Sequence, residues 1–210
     1  MIYKKALILA PHTDDGELGC GASISKMAAE GTEVYYVAFS TCRKSLPVGV
    51  PSNTLELEVK EAIEVLGLKP ENLILFDFDV RDFDSQRQKI LEEIVKLKES
   101  INPDVVFLPS STDMHQDHQV IHNEGLRAFK NTTILGYEMP WNNIVFTSNT
   151  FIRVNQAHIE NKLQALKSYK SQQNRKYLDR EFIMGLAKVR GVQAATDYAE
   201  AFEAIRIVLD

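Results

Sequence analysis

An α/β fold is predicted here: a mostly parallel sheet with helices on both faces and a carboxyl-terminal cap region. Three observations carry this. Short apolar runs alternate with amphipathic stretches through the first two thirds of the chain, as βαβ units require. Two of those runs, Ala6–Ala10 (ALILA) and Asp104–Pro109 (DVVFLP), have the form of buried strands. Each is followed by a tight cluster of acidic and imidazole side chains, His12-Thr13-Asp14-Asp15 and His115-Gln116-Asp117-His118. Clusters at the carboxyl ends of strands are where open α/β sheets build their sites.

The elements follow in order. Ala6–Ala10 reads as a strand, Gly21–Glu30 as a helix and Glu33–Ser40 (EVYYVAFS) as a second strand. Leu55, Val59, Ala62, Ile63 and Leu66 share one helical face, and Gly67 ends that helix. Leu73–Phe78 (LILFDF) is a third strand. Asp84–Ser100 is a charged amphipathic helix, Asp104–Pro109 the fourth strand, and a helix runs from about Asp117 to Lys130. In the common 3-2-1-4 strand order, the loops after strands one and four become neighbours at the topological switch point. Thr133–Met139 and Thr150–Val154 are strand-like. Ala157–Ser171, Arg180–Val189 and Tyr198–Val208 read as helical. No repeat or linker interrupts residues 1–210, which are expected to form a single domain.

Composition narrows the function. Lys and Arg number 24 against 29 Asp and Glu, a net charge of −5, which argues against nucleic acid or an anionic membrane as the main partner. No apolar run approaches the roughly 20 residues needed to span a bilayer. The amino-terminal MIYKKALILAPHTDD lacks the small-residue cleavage site of a signal peptide. Cys20 and Cys42 make no disulfide framework, so a reducing cytoplasm is the simplest compartment. A homo-oligomer is left open.

The two clusters have the chemistry of a hydrolytic metal site. Catalytic zinc takes three protein ligands at about 2.0–2.3 Å and leaves a position for water. His12 and Asp15, three apart in a turn, reach one ion together, and His118 supplies a third ligand. Asp14 is then the general base, because the ion has already made the water acidic. His115, one helical turn before His118, would as an imidazolium stabilise the oxyanion or protonate a leaving amine. Asp117 would hold His115 in its working tautomer. The competing reading is that these acids only cap helices. His122 and His158 read as structural. Leu18-Gly19-Cys20-Gly21 lacks the GxGxxG spacing, and its glycines are expected to let the first helix approach the sheet. Glu17 is either a partner to a ligand histidine or a helix-start carboxylate.

The sequence HTDDGELGCGAS, followed a hundred residues on by HQDH, resembles the zinc-dependent N-deacetylases of the PIG-L/LmbE family. The resemblance extends to the Leu66-Gly67 helix end and to Arg190-Gly191 with Tyr198, Phe202 and Arg206. It implies a Rossmann-like fold, zinc held by His12, Asp15 and His118, Asp14 as base, and His115 polarising the amide oxygen. The implied substrate is an N-acetyl group on a glucosamine-type sugar, as a free sugar, sugar nucleotide or glycoconjugate precursor, with iron(II) as the alternative metal.

Two departures stand out. Thr13 and Gly16 replace the Pro and Glu of the familiar HPDDE. Leu55 stands where family members often carry a substrate-contacting Arg, a role Arg43 is positioned in sequence to take over. Glu138, Trp141 and Asn142, in GYEMPWN, are expected substrate contacts, since aromatic rings stack on sugar faces and Glu and Asn bond hydroxyls. The other readings are a metal hydrolase of a different amide and a non-catalytic sugar- or nucleotide-binding module.

Overall fold

The computed structural model describes residues 3–209, so Met1 and Ile2 of the amino-terminal segment considered above lie outside the described residues. Among the described residues, seven strands form one sheet: β1 (Lys5–Ala10), β2 (Glu33–Ala38), β3 (Leu73–Leu75), β4 (Val105–Pro109), β5 (Thr133–Tyr137), β6 (Thr150–Val154) and β7 (Tyr198–Arg206). Their order is β3-β2-β1-β4-β5-β7-β6. The first five pair in parallel, while β7 runs antiparallel between β5 and β6.

The α-helices of the described residues cover the sheet: α1 (Asp15–Ala29), α2 (Thr54–Val65), α3 (Phe83–Ile101), α4 (Gln116–Ala128), α5 (Gln156–Lys167) and α6 (Arg180–Gln193). Side chains alternate across each strand. Ala6, Ile8 and Ala10 of β1 therefore pack under α1, α2 and α5, and Leu7 and Leu9 under α3 and α4. Both faces are apolar because both are covered. The β1 and β4 loops meet where the strand order reverses, and this puts the two His/Asp clusters side by side.

Two elements differ from the sequence reading. Tyr198–Val208, expected to be helical, instead holds strand β7 over Tyr198–Arg206. Helix propensity is a weak local term, and here pairing with two neighbouring strands satisfies the segment's backbone instead. The first helix begins at Asp15 rather than Gly21, and it breaks at Cys20, whose φ of −147° and ψ of 23° are not helical.

Candidate metal centre and active-site cavity

The turn after β1 is fixed by buried tyrosines. The hydroxyls of Tyr36 and Tyr169 lie 2.8 and 2.6 Å from the Thr13 carbonyl oxygen, and both also bond the fully buried Glu17 carboxyl. Burial raises the Glu17 pKa to about 8. Glu17 thus braces the turn and does not touch a ligand histidine. Neither Asp14 nor Asp15 caps its helix: Asp14 stands at the cap position but makes no side-chain cap bond, and the Asp15 carboxylate turns back to accept the His12 N–H at 2.8 Å.

Around Asp15 the two clusters converge. Its Oδ2 lies 3.0 Å from His12 Nδ1 and 3.2 Å from His118 Nε2, and one donor atom from each of His12, Asp15 and His118 falls within 4.8 Å of the others. The far side of each imidazole is held by a carboxylate. Asp117 Oδ2 is 3.0 Å from His12 Nε2, and Asp113 Oδ2 is 2.7 Å from His118 Nδ1. Carboxylates behind metal-binding histidines fix ring orientation and tautomer. His12, His115 and Asp117 form a second grouping; there Asp117 Oδ2 bonds His12 and accepts the Arg81 N–H.

The electrostatics favour a cation. Burial pulls both imidazoles down, yet the Asp15 charge, with Asp117 at His12 and Asp113 at His118, raises them to about 9 and about 10. Burial likewise opposes ionisation of Asp15, but His118 and His12 hold it well below the usual carboxylate range. Asp117 Oδ1 is buried with no hydrogen-bond partner among the described residues. Two nitrogens and an oxygen backed by excess negative charge suit a borderline divalent ion such as zinc.

Asp14 and His115 line the same cavity, of about 310 Å³. Burial and then the Asp15 charge raise the Asp14 pKa to about 6. His115 caps α4, its Nδ1 accepting the Asp117 N–H at 3.2 Å. This corrects two expectations. An Nδ1 that accepts leaves the ring proton on Nε2, so this contact favours the neutral ring over an imidazolium. Burial and the neighbouring His118 and His12 also lower its pKa. What fixes this tautomer is the backbone N–H of Asp117, whose carboxylate serves His12 instead.

Of the expected substrate contacts, Trp141 and Asn142 line the cavity. Arg43 and Glu138 do not. The backbone at Cys42 is left-handed (φ 53°), and Arg43 after it reaches Asp77 at 2.8 Å in an exposed pair. Glu138 is buried against the Arg190 guanidinium. His122 bonds the Pro109 carbonyl and His158 completes the cap of α5, so both are structural as expected.

Sequence reasoning missed Asp113, Arg81, Gln172, Arg175 and Tyr177 as site residues. Asp113 lies two residues before His115 and offered a signal in that proximity. The others come from loops without motif. Tyr177 stacks on Trp141 at 4.2 Å between ring centroids and 14° between planes, forming an aromatic shelf on the cavity wall.

Comparisons with known proteins show the family and the fold. The model of the PIG-L family, described as GlcNAc-PI de-N-acetylase, matches residues 7–129. The uncharacterized deacetylase YaiS of Escherichia coli (strain K12) is 30% identical over 173 residues, covering 80% of this chain and 91% of that protein. Diacetylchitobiose deacetylase of Thermococcus kodakarensis is 29% identical over 124 residues, 55% of this chain and 45% of its own length. The structure of N,N'-diacetylchitobiose deacetylase from Pyrococcus horikoshii, complexed with its inhibitor MPG, superposes with a TM-score of 0.82. It covers 96% of this chain and 84% of its own, and at 20% identity it speaks for the fold. The protein is thus an amidohydrolase of the deacetylase class. It belongs to the PIG-L family of de-N-acetylases. Among the described residues, no helix is long and apolar enough to cross a membrane.

Proposed function

We propose that this protein is a zinc-dependent N-deacetylase acting on an N-acetylglucosamine-type sugar, either free, nucleotide-linked or within a glycoconjugate precursor. One observation carries the reading: His12, Asp15 and His118 bring three donor atoms together on the cavity wall that also presents Asp14 and His115. Zinc held there would supply Lewis acidity to water and to the amide carbonyl. Asp14, with its pKa raised to about 6, is ionised near neutral pH and takes the proton from the attacking water. The Nε2–H of His115 donates to the carbonyl oxygen as negative charge develops on it. The proton held by Asp14 then passes to the departing amine. Trp141 and Tyr177 give the sugar ring an apolar face to lie on.

A panel of N-acetylated sugars, incubated with metal-loaded protein and assayed for acetate and free amine, tests this. Release from N-acetylglucosamine derivatives that depends on zinc or iron(II) is expected. Acetate release that survives metal removal would sink the metal role, and inactivity toward every sugar while simple amides are cleaved would shift the substrate class.

A further inference from the structure

Leu18-Gly19-Cys20-Gly21 takes no part in the chemistry above, yet it is where α1 breaks. A break in a helix strands carbonyls before it and N–H groups after it. Two side chains from the last third of the chain take up these groups. Lys162 of α5 donates from Nζ to the Leu18 carbonyl at 2.7 Å. Glu200 of β7 accepts the N–H groups of Ala22 and Ser23 at 3.2 and 2.7 Å.

Lys162 Nζ and Glu200 Oε1 are 2.6 Å apart, and the two residues are only 5% and 6% exposed. The glycines make the room. A Cβ at position 19 would lie 2.4 Å from the Tyr137 ring, and one at position 21 would lie 3.0 Å from Lys162 Cγ. Desolvating an ion pair seldom improves stability over apolar packing, so its benefit here is sought in geometry. The segment before the break begins at Asp15, directly after Asp14. Its direction is set apart from that of the longer segment behind it.

We propose that Lys162 and Glu200 are positioning residues for the metal centre. Their ion pair fixes the break in α1, and the break aims the Asp14–Asp15 turn at His118. The proposal rests on His12, Asp15 and His118 being cation ligands, and the experiment separates the two claims.

Metal-stripped protein is titrated with Co²⁺, reading the visible absorption of the bound ion and its affinity by chelator competition. The variants are Lys162→Met/Glu200→Gln, which removes both charges together, and Gly21→Ala, whose Cβ presses on the Lys162 stem. Ile94→Ala, in the core on the opposite face, is the control for lost stability. The double variant is expected to keep native circular dichroism, to bind Co²⁺ about tenfold or more weakly, as when a ligand's supporting contacts are lost, and to show an altered spectrum. Gly21→Ala should shift both readouts less, in the same direction. Ile94→Ala should melt earlier but hold Co²⁺ as the unaltered protein does.

Unaltered affinity and spectrum in the double variant overturn the proposal. If that variant does not fold, Gly21→Ala decides on the same readouts. An equal loss in Ile94→Ala also overturns it, because metal binding would then simply follow stability. Failure of the unaltered protein to take up Co²⁺ overturns the ligand assignment, and the proposal with it.

Discussion

The stretch matched by the family, residues 7–129, and the stretch after it both line the cavity and are built differently. In the first, the chemical groups come as dense motifs on two adjacent strand-end loops, and neighbours in sequence become neighbours at the site. In the second, isolated side chains act far from their own sequence surroundings. Tyr169 bonds the Thr13 carbonyl, Lys162 bonds the Leu18 carbonyl, and Tyr177 stacks on Trp141. Strand ends at a switch point fix a site's centre, while later elements, free to vary in their loops, supply its wall and bracing. Changes in the first region should therefore strike metal and turnover, and changes to the wall should strike substrate affinity.

The largest effect is expected at His118. On the proposed ligand set, His118→Ala removes one of three protein ligands, and purified protein should lose stoichiometric metal together with activity. Full metal content in that variant, measured by elemental analysis, would remove His118 from the ligand set. Next comes Asp14→Asn, which keeps the shape but cannot accept a proton. Metal should stay bound while kcat falls by about 10²–10⁴-fold, the usual contribution of a positioned base. Unchanged turnover with metal in place would assign the proton to another group.

This division also explains what could be read before the fold was known. Both His/Asp clusters, the strand order through β4 and the crowding at Gly19 were legible, because each rests on local pattern or on a topological rule. The partners of the imidazoles were not. The Asp117 carboxylate was matched to His115 because they are close in sequence, whereas the fold carries His12 across from another loop to meet it. Strand β7 was misread because YAEAFEAIR is rich in helix formers, and nothing local reveals that Glu200 pairs with Lys162. The aromatic shelf joins Trp141 to Tyr177 through a contact that only the fold makes.

A smaller effect tests the corrected role of Asp117. Asp117→Asn weakens the hold on His12 but leaves the N–H that fixes the His115 ring. Metal affinity should fall by about 10–100-fold, as for other carboxylates behind metal-binding histidines. A fall in kcat alone, with metal affinity intact, would return Asp117 to service of His115. Trp141→Ala then probes the wall. Loss of the shelf should raise KM by about 2–10-fold, the range of about 0.5–1.5 kcal/mol carried by an aromatic contact, with kcat nearly unchanged. A drop in kcat at constant KM would move Trp141 from the wall to the centre.

The smallest effect is expected at Arg43, and it decides whether the wall lacks the arginine the family often carries. Arg43 is the sequence's candidate to replace that group, and Leu55 lines the cavity at the family position. Its guanidinium, however, is about half exposed and paired with an equally exposed Asp77 at 2.8 Å. Exposed pairs of this kind contribute about 0–1 kcal/mol, so Arg43→Ala should change thermal stability little and leave KM within about twofold. Arg175 does line the cavity, and its charge offsets a small part of the rise that burial and Asp15 impose on the Asp14 pKa. Arg175→Ala is therefore the informative partner variant: it should raise KM or depress turnover where Arg43→Ala does neither. If the order is reversed, with Arg43→Ala raising KM several-fold and Arg175→Ala silent, then the loop carrying Arg43 swings inward when substrate binds. Arg43 would in that case join Leu55 and Arg81, which already bring the family-matched stretch to the wall.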